Sequence, residues 1–170
     1  MPSQRPAPSE RLRFLAETVQ AAARHLATTD GRLSAQAMTA ERAASLSRDI
    51  DLAERVDAFV ARFGRLQDTV ADKFLPALLD WLAEPVGPAI DNLNRAERLG
   101  WIASADTWLE LRRVRNRMIH DYVRDAEELA HVLSLAHETV PLLVAAAQVM
   151  SMTLLPRGDR ASRNDQRSAA

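Results

Sequence analysis

Two stretches of this chain space their apolar residues by alternating steps of four and three, and that spacing leaves little choice of fold. Leu52, Val56, Phe59, Phe63, Leu66 and Val70 form the first run; Leu129, Leu133, Ala136, Val140, Leu143, Ala147, Met150 and Leu154 form the second. At about 3.6 residues per turn, each run draws a narrow apolar seam along one side of a helix, and such a seam is buried lengthwise against another helix. The sequence therefore predicts an all-α protein, an up-and-down bundle of about five helices.

Three further helices complete the expected bundle. Ser9 suits the N-cap of a first helix, in which Leu12, Leu15, Val19, Ala22 and Leu26 recur at helical spacing before Asp30-Gly31. Pro88 suits the first position of a short helix that Gly100 ends, and Ser104 or Asp106 can cap the next, from about Thr107. Residues 34–47 are rich in alanine and poor in large apolar groups, so they read as a weak helix or an ordered loop. Pro76 should kink or break the helix of the first seam and Pro141 should kink that of the second, because each removes an N–H and crowds the preceding turn. The expected organisation is one domain over residues 9–155, between a disordered N-terminus (1–8) and a disordered tail (156–170) that lacks large apolar groups.

Composition narrows the chemistry. The chain has no cysteine, which excludes disulfides, thiolate metal sites and cysteine nucleophiles and fits a reducing cytoplasm. The first nine residues hold three prolines and no apolar run, so neither a signal peptide nor a membrane partner is expected. A formal net charge of −1 argues against a protein that coats nucleic acid through a general positive field. Locally the balance differs: residues 112–124 hold five arginines (Arg112, Arg113, Arg115, Arg117, Arg124) against Asp121 alone, a basic patch along the chain.

Inside that patch, Arg115-Asn116-Arg117-Met118-Ile119-His120-Asp121-Tyr122 sets an arginine, a histidine and the sole tyrosine within about two helical turns. Arginine grips phosphate through paired donors and histidine moves protons near neutral pH, so the pair suits phosphodiester chemistry. Measured from Trp108 at about 100° per residue, Leu111, Val114, Met118, Ile119 and Tyr122 share one arc, and Arg115 falls inside it. A cation on an apolar face requires a carboxylate from a neighbouring helix, a subunit interface or an anionic ligand. Arg115 and His120 diverge by about 140° on an ideal helix, so they meet on one atom only where the helix ends or distorts, or where a second subunit contributes. Asn116 shares a face with His120 and can orient the ring. The other histidines, His25, His131 and His137, read as packing or surface residues, and no pair has zinc spacing.

The pattern Arg-Asn-x-x-x-His-x-Tyr at 115–122, ending a helix in an all-helical chain, resembles the signature of the HEPN superfamily, most closely its HepT-like toxins. Three earlier stretches also look like that group: Arg62-Phe63-Gly64-Arg65-Leu66-Gln67-Asp68, Leu93-Asn94-Arg95-Ala96-Glu97-Arg98-Leu99-Gly100 and Trp108-Leu109-Glu110-Leu111-Arg112. Together they extend the resemblance over about residues 50–155, with residues 28–50 the least familiar part.

The resemblance implies a homodimeric, metal-independent endoribonuclease without cofactor, its paired motif helices forming one composite site. It implies that Arg115 holds the scissile phosphate, that His120 is general acid or base on the ribose 2′-hydroxyl or the leaving oxygen, and that Asn116 orients the site. Arg112, Arg113, Arg117 and Arg124, the other cations of the basic patch, are expected to contact the RNA. The implied partner is a small nucleotidyltransferase antitoxin (MntA-type) that adds AMP to Tyr122, crowding the cleft and occupying its arginines. The alternative is a non-catalytic HEPN partner of a nucleotidyltransferase, which needs the cation but not the proton shuttle. A purely structural bundle leaves Arg115 on an apolar face unexplained.

Overall fold

The structure is a computed structural model that describes residues 7–121 and 125–154, without the side chains of residues 120 and 121. The regular structure of the described residues is all helical, with no strand. In chain order the elements are α1 (Glu10–Leu33), α2 (Ala40–Ala44), α3 (Ile50–Asp68), α4 (Leu75–Trp81), α5 (Ala89–Arg98), α6 (Ala105–Asp121) and α7 (Ala126–Met152). A 3₁₀ turn at Ser45–Ser47 extends α2, and a π turn at Thr69–Phe74 joins α3 to α4. The chain between α1 and α3 is therefore the short helix that its alanine content allows.

Helix starts follow the expected chemistry. The side chains of Ser9, Thr39, Asp49, Ser104 and Asp125 each accept a backbone N–H from the first turn that follows. At the C-terminus of α5, Gly100 adopts φ +72, its N–H bonds Glu97 and the Trp101 N–H bonds Ala96, which together close the helix as a Schellman motif. Pro88 lies one position earlier than expected, at the N-cap of α5.

Two expectations about where helices end need correction. The first helix does not stop at Asp30-Gly31; it runs to Leu33, because burying Leu33 draws the last turn onto the core and Gly31 stays inside the helix. Pro76 neither breaks nor ends its helix. The π turn lies just ahead of it, with the Leu75 N–H reaching back to Val70, and the extra residue in that turn takes up the mismatch left by the missing proline N–H. Ile50 to Trp81 is consequently one continuous helical run, and the described residues form six helices, close to the number expected. Pro141 lies inside α7, which continues through it as α-helix with the ring at the exposed surface.

Both seams are buried. Phe59 and Phe63 are fully enclosed with ring centroids 6.0 Å apart, and Leu66, Val70, Leu133, Ala136, Leu143 and Met150 join the same core cluster as Val19 and Leu26 of α1. Helix α1 packs against α3 and α7, α6 against α7 and α3, and α5 against α6. Helix α7 is long and apolar enough to cross a membrane by length and composition; here it packs on α1, α2 and α6. Its outward face carries partly exposed Leu142, Val149 and Met152.

Candidate active site

The motif helix is anchored at its start. Ser104 Oγ accepts from the Thr107 N–H at 3.3 Å, and Glu97 Oε2 accepts from the Ala105 N–H at 2.8 Å, which ties the first turn of α6 to the end of α5. Trp108, Leu111, Val114 and Met118 then bury one face, as their spacing predicts. Ile119 departs from that arc and is 52% exposed. At its height α3 and α6 part to leave an open groove of about 400 Å³, which Ile119 lines together with Asp57, Val60, Ala61, Gly64, Arg65, Asp68, Arg115 and Met118.

Arg115 lies on the wall of that groove, and a carboxylate from a neighbouring helix compensates its charge. Its Nη2 donates to Asp68 Oδ2 of α3 at 2.6 Å, and its Nη1 donates to Asn116 Oδ1 at 3.1 Å. The stem crosses α3 over Gly64, where a Cβ would stand 3.0 Å from Arg115 Nε, so a glycine is what lets the side chain lie this low. One step along the same interface, Arg112 Nη2 donates to Asp72 Oδ1 of the π turn at 2.5 Å. The order of these pairs shows that α6 runs antiparallel to the rod containing α3.

The other described arginines of α6 are also paired. Arg113 bonds Glu110 on its own helix, and Arg117 bonds Glu128 of α7. The positive excess read along residues 112–124 is therefore matched in space by acids that the fold brings from α3, the π turn and α7, a correction to the expected basic patch among the described residues. These pairs are not deeply buried: the Arg115 and Asp68 side chains are 31% and 42% exposed. Ion pairs this wet contribute only about 0–1 kcal/mol each. The side chain of His120 and all of Tyr122 and Arg124 lie outside the described residues.

His25 and His131 remain outside the groove, and His131 is exposed, as expected. His137 does more than sit on the surface: its Nδ1 lies 2.7 Å from Asp30 Oδ1, a link between α7 and the last turns of α1. Among the described residues no group of three or more His, Asp or Glu side chains could hold a metal ion.

Sequence reasoning missed Gly64, Asp68 and Asp72. The first two sit four residues apart, on one face of a strong helix, and a glycine inside such a helix costs about 0.5–1 kcal/mol relative to alanine. That cost was the available signal, since it calls for a close approach by some other group. No family model, curated protein or solved structure matches this chain.

Proposed function

We propose that this chain is a metal-independent endoribonuclease of the HEPN type, working as a homodimer and restrained by a nucleotidyltransferase that modifies Tyr122. The observation that carries the reading is the placement of Arg115: the arginine of the Arg-Asn-x-x-x-His-x-Tyr motif lines an open groove of about 400 Å³, with Asn116 bonded to it. In this reading the guanidinium neutralises a phosphodiester while His120 takes the proton of the ribose 2′-hydroxyl. The 2′-oxygen then bonds phosphorus as the bond to the 5′-oxygen breaks, leaving a 2′,3′-cyclic phosphate, and the departing 5′-oxygen takes a proton from water. The requirement for a 2′-hydroxyl selects RNA over DNA. The second motif helix of a dimer supplies the missing convergence of Arg115 and His120.

A second reading has its own support. The described arginines of α6 are tied to carboxylates, and Val60, Met118 and half-exposed Ile119 make the groove walls apolar. Such walls suit a non-catalytic partner of a nucleotidyltransferase. Cleavage of total RNA in EDTA separates the readings, with wild type beside Arg115→Ala and His120→Ala and intact mass confirming an unmodified Tyr122. Cleavage that both substitutions abolish establishes the ribonuclease. An unmodified wild type that cuts no better than the variants leaves the binding partner as the better account.

A further inference from the structure

The guanidinium of Arg115 is already occupied. Asp68 Oδ2 stands 2.6 Å from Nη2, where an oxygen of a bound phosphate would make the same charge-assisted contact. The pair is open to solvent on both sides, at 31% and 42% exposure, so water and ions reach it and a competing anion can displace the carboxylate. The cation, by contrast, has other supports. Its Nη1 is bonded to Asn116, and its stem lies against the surface that Gly64 leaves free. Taking Asp68 away removes the competing anion and leaves the arginine over the groove.

We propose that Asp68 is an internal stand-in for phosphate, and that single-stranded RNA binds by exchange, a phosphodiester oxygen replacing the Asp68 carboxylate on Arg115. The inference rests on the reading of Arg115 as the phosphate-holding residue, and it concerns how the same site is regulated. Asp68 touches no reacting atom. It sets how tightly the site holds its ligand, by competing for the guanidinium and by repelling the incoming charge. The neighbouring Asp72–Arg112 pair, at 2.5 Å, repeats the arrangement one step along the interface. A strand lying along α6 meets a second exchangeable carboxylate there.

The test is binding, read separately from cleavage. A fluorescent 2′-O-methyl RNA oligonucleotide carries phosphates but no free 2′-hydroxyl, so anisotropy reports affinity alone. It is measured on full-length wild type, Asp68→Asn, Arg115→Ala and the double variant at low and high salt, with circular dichroism to confirm folding. Asp68→Asn should bind about tenfold tighter, less so as salt rises, and the gain should vanish in the Arg115→Ala background. Should Asp68→Asn fail to fold, Asp68→Ser serves in its place.

A folded variant that binds no tighter than wild type overturns the proposal. So does a gain that survives Arg115→Ala, or the absence of binding by every protein. The cleavage assay stands apart. Tighter binding by Asp68→Asn through Arg115, with no RNA cut by wild type, sinks the ribonuclease reading and keeps the exchange. Cleavage that depends on Arg115, without any gain from Asp68→Asn, does the reverse.

Discussion

Arg115 and Asp68 stand 47 positions apart in the sequence and 2.6 Å apart in the fold. The distance in sequence is why the pairing is invisible along the chain, and the distance in space is why the arginine can lie on an otherwise apolar helix face. A half-exposed pair of this kind positions a side chain more than it stabilises a fold.

Arg115→Ala should therefore leave stability nearly unchanged, by no more than about 1 kcal/mol, or roughly 2–4 °C in melting temperature for a chain of this size. In the ribonuclease reading the same variant loses RNA cleavage. Thermal melts beside the cleavage assay check both halves. A large drop in melting temperature would mean that the pair is structural.

Gly64→Ala separates stability from function in another way. An alanine inside α3 gains about 0.5–1 kcal/mol of helix propensity, but its Cβ would stand 3.0 Å from Arg115 Nε and push the stem aside. The expected result is a melting temperature equal to or above that of wild type, with RNA binding and cleavage reduced. Unimpaired binding would show that the low path of Arg115 over α3 does not matter.

Gln67, next to Asp68, is wholly buried, and neither of its amide atoms has a hydrogen-bond partner among the described residues. A buried amide left unbonded costs on the order of 1–3 kcal/mol, and methionine fills nearly the same volume without that cost. Gln67→Met should raise the urea midpoint by an amount worth about 1 kcal/mol. A lower midpoint would mean that the amide is bonded in solution.

Phe63 lies at the centre of the first seam, fully buried against Phe59. Phe63→Ala removes a large side chain from a closed core and should cost about 3–5 kcal/mol in urea unfolding. A loss below about 1 kcal/mol would place this residue at a loose part of the bundle.

The sequence by itself determined most of the helices, many of their ends and most of the faces they bury, because those depend on contacts within a few turns. The four-three seams, the Ser9 and Ser104 caps and the Gly100 terminator are local signals, and the fold carries each of them. The sequence also marked Arg115 as a cation in need of compensation.

Tertiary structure alone decided what supplies that compensation. Asp68 and Asp72 are unremarkable helix acids until α6 is laid antiparallel against their rod, and only then does Gly64 lie beneath the arginine stem. The exposure of Ile119 and the π turn that precedes Pro76 were settled at the same level. Helical periodicity tells which side of a helix is apolar; where two helices separate to leave a groove, and which charges then face each other across it, follows from packing between distant segments.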